Sequence, residues 1–130
     1  MNKYLGESLD EVLRELLESD PKITGVFLIS REGLAISSKL RADTQMNYIA
    51  AIGAALLSLG NRVCDEFSKD KIECVVVLGE HGKVITLPVG EKALLLMDTT
   101  REWDFDIEFD FDRFCSRLNS AFSSSSRVAP

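Results

Sequence analysis

Gly25-Val26-Phe27-Leu28-Ile29-Ser30-Arg31-Glu32-Gly33-Leu34-Ala35-Ile36-Ser37-Ser38 decides how the rest of the chain is read. An apolar, β-prone run reaches a Ser-Arg-Glu-Gly stretch and resumes as a second run. Gly33 can take the left-handed backbone conformation that a tight turn needs, so the stretch reads as two antiparallel strands. Before it, Leu5, Leu9, Val12, Leu13, Leu16 and Leu17 recur at helical spacing over residues 5–19, closed by Asp20-Pro21. After it, Asp43 is a fitting N-cap for a helix from Thr44 to Phe67 with an unusually apolar middle. Ile72-Glu73-Cys74-Val75-Val76-Val77-Leu78 is a strand. Gly79-Glu80-His81-Gly82 turns into a strand from Lys83 to Leu87. Pro88 to Lys92 turns again into Ala93-Leu94-Leu95-Leu96-Met97. Phe111, Phe114, Cys115, Leu118 and Phe122 mark a closing helix, and residues 123–130, with four consecutive serines, read as a flexible tail.

The order is α-β-β-α-β-β-β-α. Short connections between strands predict antiparallel pairing. Strands one, three and five are apolar at consecutive positions, which predicts helices on both faces of the sheet. The fold class is therefore α/β in the α+β sense. It is a three-layer sandwich with a five-stranded antiparallel sheet, forming a single domain over residues 1–122.

Composition narrows the function. The 130 residues carry 15 Lys and Arg against 21 Asp and Glu, a net charge of −6. Such a balance argues against nucleic-acid binding and against electrostatic attachment to anionic lipid. Cys64, Cys74 and Cys115 are scattered without a CxxC pair, as expected of reduced thiols in the cytoplasm. The first residues contain acids where a leader peptide would be apolar, and the run Ile49–Leu57 is too short for a membrane span.

The hairpin motif Ser30-Arg31-Glu32-Gly33-Leu34-Ala35-Ile36, the stretch Ile49-Ala50-Ala51-Ile52-Gly53-Ala54-Ala55, then Val75-Val76-Val77-Leu78-Gly79 and Leu94-Leu95-Leu96 follow one another in the order of the Roadblock family. Over residues 5–100 the chain resembles that family of dynein light chains and MglB-like regulators. The resemblance implies a homodimer with sheets joined edge to edge, acting as platform or regulator of a Ras-like small GTPase. Two other roles fit the same architecture: a structural adaptor of the motor-light-chain or tethering type, and a profilin- or PAS-like small-molecule sensor.

No catalytic set, metal site or cofactor site is expected. His81 is the only histidine and sits in a turn, where solvation is its ordinary state. No Gly-rich phosphate loop followed by Lys-Ser or Lys-Thr occurs. Asp104, Asp106, Glu108, Asp110 and Asp112 suggest a calcium loop at first sight. With Asp104 in first position, however, the required Gly falls on Phe109 and the required Glu on Cys115. Trp103, Phe105, Ile107, Phe109 and Phe111 alternate with these acids, so the stretch reads as an extended segment with aromatics inward. A docking strip for a basic partner is the alternative. Arg62 and Arg101 read as solvated charges rather than arginine fingers.

The long helix has two stripes. Ile49, Ile52, Leu56, Leu59 and Val63 are bulky; Ala50, Gly53, Leu57, Gly60 and Cys64 are mostly small. They lie about 100° apart. Periodicity leaves open which stripe meets the sheet. The family resemblance favours the bulky stripe on the sheet and the small one at a helix pair across a dimer. The expected dimer interface is then Ala50, Gly53, Leu57, Gly60 and Cys64 with the strand-edge residues Cys74, Val76 and Leu78. The remaining side, Tyr48, Ala51, Ala55 and Arg62, is the expected surface for the GTPase.

Overall fold

In a computed structural model, residues 8–41, 46–104 and 110–128 are described. The elements are α1 (Leu9–Glu18), β1 (Ile23–Ser30), β2 (Ala35–Leu40), α2 (Met46–Glu66), β3 (Val75–Gly79), β4 (Gly82–Val89), β5 (Ala93–Thr99) and α3 (Phe111–Val128). Their order is the one read from the sequence. The sheet runs β2-β1-β5-β4-β3, with every neighbouring pair antiparallel.

Local chemistry sets the boundaries. Ser8 caps α1, its hydroxyl accepting from the Glu11 amide at 3.1 Å. Gly33 turns the β1–β2 hairpin at φ +91°. The Ser30 amide donates to Leu34 O at 2.8 Å, and the Ser30 hydroxyl accepts from the Leu34 amide at 3.0 Å. Arg31 then ties this hairpin to the β4–β5 turn. Its Nε donates to Ala93 O and its Nη2 to Gly90 O, both at 2.7 Å. Arg41 does the same at the other end, donating to Ile23 O at 2.9 Å and Leu17 O at 2.7 Å.

Strand alternation divides the core. Val26, Leu28, Ile85, Leu87, Leu95 and Met97 join Val12, Leu13, Leu16 and Leu118 under α1 and α3. Phe27, Ile29, Leu94 and Leu96 join Ala50 and Leu57 under α2. Central β1 and β5 are covered on both faces, as their continuous apolar runs predict.

Three expectations change. The third strand, expected over 72–78, begins only at Val75; its edge position is the expected one, but Val76, Val77 and Leu78 are exposed where cover on both faces is expected. Composition alone does not distinguish an edge strand awaiting cover from a central one. The closing helix continues past Phe122 through the serines to Val128. Serine disfavours helix only by tenths of a kcal/mol, so a helix already anchored by packing propagates through such a run. Asp43, the expected N-cap of α2, lies outside the described residues.

The third correction concerns the stripes of α2. The small stripe, not the bulky one, faces the sheet: Ala50, Gly53 and Leu57 are buried there. A Cβ on Gly53 would sit 2.9 Å from Ile29 Cδ1 and 3.1 Å from Leu96 Cδ1. Gly60 lies as closely against Ile72 and Val75. The physical reason is complementarity of volume. The sheet presents branched Ile and Leu side chains, so the helix facing them must be small to pack at interior density. Ala50, Gly53 and Leu57 are therefore core residues of one subunit and not dimer contacts.

Candidate interaction surface of helix α2 and strand β3

With its small stripe on the sheet, α2 turns its bulky stripe outward. Ile52 is 54%, Leu59 63% and Val63 49% exposed, and Tyr48 is exposed at the border between them and the side of Ala51 and Ala55. Ile49 and Leu56 are half-buried at the flank. An apolar helical face left in water is the mark of a surface with a partner.

Neighbouring elements orient this face. Gly60 touches Ile72 and Val75 on the β3 side, while Gly33 of the hairpin lies near Ala51 and Ala54. Ile52, Leu59 and Val63 thus lean toward β3, and Ala51, Ala55 and Arg62 toward the β1–β2 hairpin. Val75 faces α2, so by alternation Val77 does as well. Its exposed side chain extends the apolar face of α2 to the edge of the sheet.

The two sheet edges differ in chemistry. On β2, the Ser37 hydroxyl donates to Asp10 Oδ1 at 2.8 Å, and Lys39 pairs with the same carboxylate at 3.6 Å. The bond from Ser37 and the charge of Lys39 hold Asp10 below the usual carboxylate range. A lysine and a tether to α1 blunt this edge. Among the described residues β3 pairs only with β4, and its outward backbone edge borders Val, Val and Leu. The Arg101 guanidinium donates to Gly79 O at 2.7 Å at one end of it.

Of the residues named from sequence, Cys74 is half-buried against the α1/α3 core, while Val76 and Leu78 are exposed on β3. Gly60 and Cys64 are half-buried at the α2 flank. Tyr48, Ala51, Ala55 and Arg62 are all exposed, with Arg62 Nε donating to Glu66 at 3.2 Å. Sequence reasoning missed Ile52, Leu59, Val63 and Val77. The missing signal was the volume of the facing strands: Ile29, Leu94 and Leu96 leave no space for a second bulky layer. His81 lies exposed in the β3–β4 turn. Among the described residues no group of three or more His, Cys, Asp or Glu converges to hold a metal ion, and no helix is long and apolar enough to cross a membrane. Trp103 is buried and meets Phe111 edge-on at 5.9 Å, while Asp104, Asp110 and Asp112 are exposed. Phe105, Asp106, Ile107, Glu108 and Phe109 lie outside the described residues.

An antiparallel five-stranded sheet with one helix on one face, two on the other, and an open apolar edge defines a class of small α+β interaction domains. The Roadblock/LC7 domain model matches residues 9–99, and the chain belongs to that family. Uncharacterized protein MJ0714 of Methanocaldococcus jannaschii is 28% identical over 89 residues, 68% of this chain and 75% of its own length. A second protein of that organism, MJ0311, is 30% identical over 87 residues, 67% of this chain and 78% of its own. Among solved structures, an MglB with tetrameric arrangement superposes with a TM-score of 0.79 at 18% identity, covering 90% of this chain and 89% of that one. The gliding protein MglB from Thermus thermophilus gives 0.76 at 19% identity over 89% of each chain. A Roadblock/LC7 domain from Streptomyces avermitilis gives 0.68 at 21% identity, over 93% of this chain and 97% of that one.

Proposed function

We infer that the protein is a non-enzymatic homodimer that regulates or scaffolds a Ras-like small GTPase. The observation that carries this reading is the continuity of two unsatisfied features, the open β3 edge and the exposed bulky stripe of α2. A two-fold axis beside β3 would pair β3 with its copy and close the edge. The same axis would bring Ile52, Leu59 and Val63 of the two α2 helices together. Membership of the Roadblock/LC7 family and the likeness to MglB structures, one of them tetrameric, support self-association of this kind.

The hairpin-facing side of α2 would then remain on the dimer surface in two copies. Tyr48 and Arg62 flank the small apolar Ala51 and Ala55 there, a mixture that binding hot spots favour. Such a surface needs no inserted catalytic residue. Binding one nucleotide state of the GTPase better than the other shifts that equilibrium by the difference in affinity.

The experiment uses the Ras-like GTPase encoded nearest this gene, loaded with GDP or a non-hydrolysable GTP analogue. Capture that prefers one nucleotide state, lost in the Tyr48→Ala, Arg62→Glu double variant at unchanged dimer mass, supports the reading. Capture in both states with unchanged GTP hydrolysis assigns the protein to the adaptor class. No capture in either state removes the GTPase from the reading.

A further inference from the structure

The face of the sheet opposite α2 carries a feature that edge pairing leaves without a covering layer. α1 lies over β1 and β2, and α3 over β4. Val76 pairs with Ile85 of this α1/α3 core, which places Val76, and by alternation Leu78, on the same face, and Cys74 just before the strand packs into it as well. Val76 and Leu78 are 44% and 56% exposed. Pairing β3 with its copy would set these side chains beside those of the copy along the seam, but would leave their outer surface without a covering layer like the one α1 and α3 supply elsewhere. This apolar strip runs back along β3 into a pocket of about 580 Å³ lined by Glu73, Cys74, Leu87, Pro88, Phe111, Asp112 and Cys115. The pocket walls are aliphatic, aromatic and thiol groups, and the charged groups among them are two carboxylates. Their charge is felt inside: beyond the larger effect of burial, Glu73 raises the Cys74 thiol pKa and Asp112 that of Cys115. The segment that leads into α3, residues 102–112, has six acids and no base.

We propose that the β3 strip and the Glu73–Asp112 pocket together form a docking groove for a basic amphipathic helix of a partner protein, distinct from the α2 surface. A helix is the occupant because this layer of the fold is already helical. One more helix beside α3 would cover Val76 and Leu78 as α1 and α3 cover their strands. A Lys or Arg is the residue for the pocket. Its aliphatic stem suits Leu87, Pro88 and Phe111, and its cation meets Glu73 and Asp112. The negative field would also steer such a partner and make its binding salt-sensitive. The groove belongs to one subunit, so the proposal does not depend on the dimer or on the GTPase.

The probe is a fluorescein-labelled Leu/Lys peptide of about 16 residues with its leucines on one helical face. It is compared by anisotropy with a Leu/Glu counterpart and with a scrambled Leu/Lys peptide lacking the apolar face. The intact protein should bind the first and discriminate against both others by about tenfold or more. Glu73→Lys with Asp112→Lys, and separately Val76→Ser with Leu78→Ser, should each weaken binding to a similar degree. Glu32→Lys with Glu91→Lys, the same charge change elsewhere on the surface, should leave it unchanged. In a Cys64→Ala background the bound peptide should slow alkylation of Cys74. Equal losses from both charge-reversal pairs, equal binding of the scrambled peptide, or unprotected Cys74 would overturn the groove. Light scattering on each variant reports the dimer separately.

Discussion

Arg117 is buried against the α1/α3 core, its guanidinium paired with Glu15 and set 5.4 Å from the Phe114 ring centroid. The hydrogen bond from Arg117, reinforced by the charges of Arg117 and Arg113, holds the Glu15 carboxyl below its usual range. A carboxylate depressed in the folded state stabilises above its unfolded pKa and loses that contribution as pH falls through the folded value. Glu15→Gln should therefore cost about 1–2 kcal/mol at pH 7, moderated because Glu15 is half exposed. The deficit should shrink below about pH 4.3 and vanish once Glu15 is protonated in both states. Urea melts of both proteins across that range check it. Cys115 offers a second test. Burial, followed by the charge of Asp112, pushes its thiol up to about 12. Its alkylation by iodoacetamide at pH 8 should be about a hundredfold or more slower than that of an unfolded cysteine, and guanidinium should abolish the difference. A rate equal to the unfolded one in the native protein would mean that Cys115 is not enclosed between α3 and the sheet.

Among the elements, α2 is the one whose packing face the sequence pattern leaves undecided. Its two stripes are both apolar enough to pack, and helical periodicity assigns neither to the sheet. Gly53 settles the matter through Ile29, Leu94 and Leu96, three residues far away in sequence. Gly53→Leu should act on the subunit itself. Overpacking should lower stability by about 1–3 kcal/mol in a melt at a concentration where association is absent, rather than loosen the dimer alone. A variant with unchanged melting and reduced self-association would return the small stripe to the interface. The end of α2 shows strain of a milder kind. Ser68 holds φ +56° where the helix terminates, with the Lys69 amide reaching back to Cys64 O at 2.8 Å. Glycine is the natural residue for that position, so Ser68→Gly should raise stability by roughly 0.5–1 kcal/mol. The comparison of melting midpoints reads it directly.

On the scale of the whole molecule, the chain presents two apolar surfaces on opposite faces of one sheet, both bordering β3. The proposed dimer uses the α2 side and the edge. Leu59→Glu with Val63→Glu should therefore give a folded subunit near 14.4 kDa by light scattering, with an unchanged circular dichroism spectrum. A larger species of the same mass as the unaltered protein would move the self-association surface elsewhere. Element order, the antiparallel sense of strand pairing, the glycine turn at Gly33 and the start of the closing helix were legible from sequence because each depends on local periodicity and turn chemistry. Apolarity on both sides of β1 and β5 was legible in the same way. The exposure of β3 side chains on both faces of the sheet, the outward turn of Ile52, Leu59 and Val63, and the meeting of Glu73 with Asp112 at one pocket were decided only by the tertiary structure. Each depends on which strands and side chains the fold brings opposite one another, and volume and charge complementarity between distant segments leave no periodic trace along a single chain.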